Sequence, residues 1–95
     1  LASRLTFTNY DTNYGLGDKD VKAVYASGST IYAGTNTAGL GISTNGGTSF
    51  TNYTTANGLG SNNLKGVYAS GSNIYAATTN GLSISSNGGS SWTTY

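Results

Sequence analysis

Short runs of β-favouring residues recur along the chain and are separated by turns rich in Gly, Ser and Asn. This pattern predicts eight strands, at residues 21–27, 30–35, 40–44, 49–53, 64–70, 73–78, 82–86 and 91–95. No segment has the spacing of an amphipathic helix, and the 15 glycines disfavour helices further. The sequence therefore predicts an all-β chain.

The strands nearest the start of each half carry apolar residues at consecutive positions, as in VYA at 24–26 and IYA at 31–33. Successive side chains of a strand point to opposite faces of its sheet, so both faces of these sheets are predicted to be apolar. Such sheets must be covered on both sides.

The second half of the chain repeats the first. The segment FTNY at 7–10 recurs at 50–53, and VYASGS at 24–29 recurs at 67–72. Four antiparallel strands in a unit of about 40–45 residues are typical of a β-propeller blade. We therefore expect one blade at 11–53 and a second at 54–95. Residues 1–10 are expected to be an extra strand, which is either loose or exchanged with a neighbouring chain, since 91–95 already supplies the last outer strand.

The phrase STNGGTSF at 43–50 returns as SSNGGSSW at 85–92. Asn-Gly between two β-favouring runs predicts a hairpin with a type I′ turn, in which both central residues have positive φ.

This phrase resembles the Asp-box of sialidase-type propellers, Ser/Thr-x-Asp-x-Gly-x-Thr-Trp/Phe. The matching residues are Ser43, Gly47, Phe50, Ser85, Gly89 and Trp92, while Asn45 and Asn87 stand where that family has Asp. The resemblance implies a structural element between the third and fourth strands, whose polar side chain binds the turn and whose aromatic ring packs between sheets. Asn retains an acceptor oxygen for this role. The second repeat is also similar to bacterial regulator-type propeller repeats.

Two blades are fewer than the four or more of known propellers, and they would leave two apolar sheet faces uncovered. We therefore expect identical chains to close a ring together. A homotrimer would contain six blades, the sialidase-type number, and a homotetramer would contain eight.

The net charge of +1 gives no electrostatic basis for binding nucleic acid or an anionic membrane. The composition is compatible with a secreted or cell-surface parent protein. Without His or Cys the chain has no imidazole base, no thiol nucleophile and no Cys/His metal cluster, so we expect neither an enzyme nor a cofactor. The acids Asp11, Asp18 and Asp20 share one loop, in which Asp18 and Asp20 are either solvated charges or weak Ca²⁺ ligands.

Two residue pairs are candidates for ligand binding. Tyr14 and Tyr53 lie beside Asn and Thr residues, a setting suited to stacking on glycans, although packing is the alternative role. Lys22 and Lys65 occupy matching positions, where a ring would gather them around an anion or they would protect sheet edges from aggregation.

These expectations converge on a non-catalytic, self-assembling propeller module, either a fragment of a longer propeller or a designed symmetric protein. The alternative is a carbohydrate-binding lectin with one shallow site per blade.

Overall fold

The computed structural model describes residues 8–95, which form two four-stranded antiparallel sheets with their strands in chain order. The first sheet contains β1 (Val21–Ser27), β2 (Thr30–Thr35), β3 (Leu40–Ser43) and β4 (Thr51–Tyr53). The second contains β5 (Leu64–Ser70), β6 (Asn73–Thr78), β7 (Gly81–Ser85) and β8 (Thr93–Thr94). The all-β prediction is confirmed.

Helical structure in residues 8–95 is confined to two 3₁₀ turns, Thr12–Tyr14 and Thr55–Asn57, each directly after the position of an FTNY segment. Neither is long or apolar enough to cross a membrane. The predicted extra strand at 1–10 lies mostly outside the described residues, and residues 8–10 are not assigned to a strand.

Two-residue turns join the first two strands of each sheet. Gly28 and Gly71 open these turns with φ of 61° and 62°, whereas Ser29 and Ser72 do not have positive φ. Gly at the first central position is what a type II′ turn requires. The turns fix the register that places Tyr25 opposite Tyr32.

The register divides each sheet into two different faces. We call one the tyrosine face, because it carries Tyr residues on the first two strands and aliphatic residues on the third. It comprises Tyr25, Tyr32, Leu40 and Ile42 in the first sheet, and Tyr68, Tyr75, Leu82 and Ile84 in the second. The opposite, aliphatic face comprises Val24, Ala26, Ile31 and Ala33 in the first sheet, and Val67, Ala69, Ile74 and Ala76 in the second.

The core of the chain lies between the sheets, where the tyrosine face of the first packs on the aliphatic face of the second. The buried residues of this core are Tyr32, Leu40, Ile42, Leu59, Leu64, Ala69, Ile74, Ala76 and Trp92. The sheets are in close contact at Gly34, where an added Cβ would lie 2.8 Å from the Cβ of Leu64. A side chain at residue 34 would therefore force the sheets apart.

The two repeats bind their loops with different side chains. In the first, Asn52 accepts from the N–H of Gly17 at 3.0 Å and donates to the carbonyl of Gly15. In the second, Ser83 accepts from the matching N–H of Gly60, while Thr94 donates to the carbonyl of Gly58. Two hydroxyls thus replace one amide, since the cross-strand neighbour of Asn52 is Gly41 whereas the neighbour of Thr94 is Ser83.

Candidate functional site

The repeated Ser-x-Asn-Gly-Gly phrase forms a compact loop between the third and fourth strands of each sheet. In the first loop, the buried hydroxyl of Ser43 accepts from the N–H of Gly47 at 2.9 Å and donates to Oδ1 of Asn45 at 2.8 Å. The Asn45 amide then bonds Ser49 twice: Oδ1 accepts from its N–H, and Nδ2 donates to its hydroxyl. The amide nitrogen of Asn45 donates in this contact, whereas a carboxylate could only accept from the Ser49 hydroxyl.

The second loop repeats these bonds through Ser85, Asn87, Gly89 and Ser91. Trp92 stands where the first loop has Phe50, and its indole N–H donates to the carbonyl of Gly89 at 3.1 Å. Trp92 is 9% exposed and belongs to the core, whereas Phe50 is half-buried. The two motifs therefore have one loop geometry but different surroundings.

The predicted type I′ turn at Asn-Gly is wrong. Among residues 8–95 only glycines have positive φ, and in the first loop these are Gly46 at 71° and Gly47 at 101°. The side-chain bonds of Asn45 hold it outside the left-handed region and close a loop over residues 44–50. For the same reason β4 begins at Thr51 and not at residue 49, because the Ser49 N–H is bound to the loop.

A tyrosine covers each of these loops. Tyr53, at the end of β4, leaves the first sheet and packs against Gly89 of the second, where an added Cβ would lie 3.3 Å from its ring. Tyr10 packs in the same way against Gly47, at 3.0 Å. Residue 10 therefore occupies, on the first sheet, the position that residue 53 occupies on the second.

The two tyrosines expected to bind glycans have separate neighbours. Tyr53 is half-buried and packs against the core as well as Gly89. Tyr14 is 36% exposed, and its ring lies edge-on to that of Tyr10 with centroids 4.7 Å apart. Both rings have packing partners, and Tyr14 keeps the larger open surface.

The matching lysines differ in their charge partners. Lys22 forms an ion pair with Asp20 at 3.3 Å, and both side chains are about half exposed. Lys65 has Asn63 at the corresponding place, so it has no such carboxylate. Both lysines are exposed near the start of the first strand of their sheet.

The acidic loop is organised by backbone contacts. The N–H of Asp20 and the hydroxyl of Thr37 donate to the Asp18 carboxylate and lower the pKa of Asp18 from its ordinary value. Asp11 accepts from the N–H of Asn13 and caps the first 3₁₀ turn. Within residues 8–95, no three His, Cys, Asp or Glu side chains lie close enough together to hold a metal ion.

Two sheet faces carry exposed apolar side chains. On the tyrosine face of the second sheet, Tyr68 is 53% exposed and Leu82 41%, while Tyr95 at the end of the chain is 76% exposed. On the aliphatic face of the first sheet, Val24 is 67% exposed and Ala26 is also exposed. We call these the open tyrosine face and the open aliphatic face.

Matching residues of the two repeats show how unusual this exposure is. Leu40 is fully buried in the core, whereas Leu82, its equivalent in the second repeat, is 41% exposed. Ala69 is 5% exposed, whereas its equivalent, Ala26, is exposed. The same side chains in the same register are buried where another sheet covers them and exposed where none does. These faces are the candidate functional site, because contiguous exposed apolar surfaces mark interaction sites.

No protein-family model matches this sequence, and a search of curated proteins finds no significant match.

The loop bonds predict a stability difference between two serines of the second motif. Replacing Ser85, which is 1% exposed, by Ala leaves the buried N–H of Gly89 without its acceptor. We expect Ser85→Ala to lower the free energy of unfolding by about 1–3 kcal/mol in urea titrations at fixed chain concentration. The control is Ser90→Ala, an exposed position of the same loop, where the change should stay within about 0.5 kcal/mol. Equal effects at the two positions would contradict the role of the Ser85 hydroxyl.

Proposed function

We propose that this chain is a non-catalytic module that associates with identical copies of itself, head to tail, into a closed β-propeller in which each four-stranded sheet is one blade. The observation that carries this proposal is which two faces of the chain are left open. They are the repeat equivalents of the two faces that pack on each other inside the chain, with the sheets exchanged. The open tyrosine face of one copy thus matches the open aliphatic face of the next.

This contact is heterologous, because the two surfaces that meet are different. Heterologous contacts extend a row of subunits until the rotation between neighbours closes a ring. Burial of apolar area drives the association, at about 25 cal/mol per Å² removed from water. A dimer joined through one self-complementary patch, for example tyrosine face on tyrosine face, would cover only one of the open faces on each chain.

A pair of substitutions between the repeats supports the proposed contact. Inside the chain, Gly34 leaves room for Leu64 of the second sheet. The equivalents of these residues are Ala77 and Val21, which are both exposed in the single chain. If a second copy repeats the internal packing, Ala77 meets its Val21. The methyl group that Ala77 adds relative to Gly34 is then balanced by Val21, which is smaller than Leu64.

We favour a ring of three copies and six blades, in keeping with the resemblance to sialidase-type propellers. A ring of four copies has eight blades, which also lies within the known range of about 4–8. The absence of His and Cys supports a role without catalysis, as does the binding of Asp18 to the N–H groups and hydroxyl of its own loop.

The assembly is tested by measuring mass in solution. At micromolar concentration, light scattering and native mass spectrometry should give about three times the 9.6 kDa of one chain. Leu82→Arg places a charge on the open tyrosine face and should yield folded single chains, with β-sheet circular dichroism retained. The matched control is Ser90→Arg, which adds the same charge at an exposed loop position and should leave the mass unchanged. A folded wild-type monomer would overturn the proposal.

The proposed contact between Val21 and Ala77 predicts rescue by a second substitution. Val21→Leu adds a methylene opposite Ala77 of the next copy and should weaken association about tenfold, because overpacking a close contact is destabilising. Adding Ala77→Gly reproduces the internal Leu64–Gly34 pair and should restore association. The association constant is obtained from a dilution series by analytical ultracentrifugation. Failure of Ala77→Gly to rescue Val21→Leu would show that these residues do not meet.

The start of the chain competes with this contact. In a ring that repeats the internal packing, Tyr95 of one copy covers Gly47 of the next, as Tyr53 covers Gly89. Tyr10 already lies on Gly47. The 7–10 segment would also be a poor replacement for β8. Its Asn9 is the equivalent of Asn52, whose cross-strand neighbour is Gly41, whereas β7 presents the larger Ser83 at that position. We therefore infer that β8 stays in place and that Tyr10 gives way on assembly.

This competition predicts that loss of the Tyr10 ring strengthens association. Tyr10→Ser should lower the concentration at which half of the chains are assembled by several-fold, since Tyr95 then meets no competitor on Gly47. The same dilution series measures the shift. Asn13→Ser, at an exposed position of the neighbouring loop, is the control and should leave the midpoint unchanged. Weaker association of Tyr10→Ser would instead indicate that Tyr10 helps to hold the ring.

A further inference from the structure

A cavity of about 330 Å³ lies between the two sheets, at the end that carries the β1–β2 and β5–β6 turns. Its volume is within the range of small-molecule sites, about 300–1,000 Å³. The first sheet contributes Tyr25, Ser27, Thr30 and Tyr32 to the lining, and the second contributes Tyr68 and Ser70. None of these residues belongs to the loop motif or to the tyrosine and lysine pairs suggested by the sequence.

Aromatic rings form one side of the cavity. The ring of Tyr25 lies between those of Tyr32 and Tyr68, with centroid distances of 6.1 Å and 4.9 Å. These rings are tilted against one another and not stacked flat. Tyr32 is 8% exposed and Tyr25 is half-buried, whereas Tyr68 is 53% exposed, so Tyr68 offers most of the open ring surface.

The hydroxyl groups of the lining are not used by the fold. Unlike Ser43 and Ser85, whose hydroxyls hold their loops together, Ser27, Thr30 and Ser70 have side chains without a hydrogen bond to another residue of the described chain. The same is true of the three tyrosine hydroxyls. Among residues 8–95, no charged side chain lines the cavity. The site therefore presents uncharged donors and acceptors beside aromatic rings.

We propose that this cavity binds one neutral sugar ring. The C–H groups of a pyranose pack against the tyrosine rings, while its hydroxyls exchange hydrogen bonds with Ser27, Thr30 and Ser70. A phosphate, carboxylate or metal ion would find no charged partner in the lining. The cavity is thus distinct from the shallow site that Tyr14 and Tyr53 suggest from sequence alone.

Assembly would create a second site of the same kind, a step that rests on the proposed function. If the contact between copies repeats the internal one, Tyr68, Ser70, Asn73 and Tyr75 of one copy face Tyr25 of the next. Asn73 is the equivalent of Thr30, so the second site gains an amide where the first has a hydroxyl. A ring would then hold two sites per chain, and a dissociated chain would hold one.

The test uses a panel of monosaccharides: D-glucose, D-galactose, D-mannose, L-fucose and N-acetyl-D-glucosamine. Saturation-transfer NMR and a titration of amide chemical shifts are recorded on the assembled wild-type protein. We expect at least one sugar to bind with a Kd of millimolar order, and to shift the amides of Ser27, Thr30, Ser70 and Gly71. The absence of binding by the whole panel, or shifts confined to residues around Tyr14, would overturn the inference.

Two matched variants separate the sites. Thr30→Trp fills the internal cavity, whereas Asn73→Trp makes the same change in the site between copies. In the Leu82→Arg background, which should give single chains, Thr30→Trp should weaken sugar binding at least about tenfold, while Asn73→Trp should have no effect. Equal binding by both variants in that background would overturn the internal site.

The assembled protein tests the second site. The second site is supported if the wild-type ring binds two sugars per chain and the Asn73→Trp ring binds one. One sugar per chain in an intact wild-type ring refutes the second site and leaves the ring standing. A monomeric wild type that binds sugar at the Thr30 cavity refutes the ring and leaves the internal site standing. Circular dichroism of each variant shows whether it is folded. The wild-type amide shifts locate the bound sugar without any substitution, so the outcome does not depend on a folding defect.

Discussion

The packing of a tyrosine face on an aliphatic face is the contact from which the rest of the structure follows. It has a direction, because the two surfaces differ in side-chain size and in the position of small residues such as Gly34. Two sheets in one chain can make this contact only once. One tyrosine face and one aliphatic face therefore remain exposed, and Leu82 and Val24 lie in water although their repeat equivalents are buried or half-buried.

The loop motif has a different task, which it performs locally. Ser43, Asn45 and Ser49 satisfy one another and the loop N–H groups, so the loop before the fourth strand is held by bonds that do not involve the core. This independence explains why the loop geometry is the same in both sheets although Phe50 is half-buried and Trp92 is buried. Short-range bonds fix each sheet, and apolar packing then decides how sheets are arranged.

Those two levels also separate what the sequence could predict from what it could not. The inner strands were predicted within their observed bounds, since β-favouring residues and Gly turns are local signals. The outer strands are shorter than predicted because Asn45 binds the N–H of Ser49, a contact that a turn propensity does not express. No local pattern distinguishes Leu40 from Leu82, because only the presence of a covering sheet separates them. The cavity at Tyr25 and Thr30 was missed for the same reason, as it exists only between two sheets.

Differences between nearly identical repeats carry information because each must be accommodated somewhere. One such difference places Ser83 and Thr94 where the first repeat has Gly41 and Asn52. It is accommodated within each sheet, because the side chains bind equivalent backbone groups of the loop before the first strand in both repeats. The exchange of Gly34 for Ala77 is also matched within its sheet, because Ala23 lies opposite Gly34 whereas Gly66 lies opposite Ala77. Gly34 also contacts Leu64 across the gap between the sheets. The residue equivalent to Leu64 is the smaller Val21, which is exposed on the first sheet. In the proposed assembly a second copy would bring Ala77 and Val21 into contact, so one exchange would have to suit two neighbours, Gly66 within the sheet and Val21 across the gap.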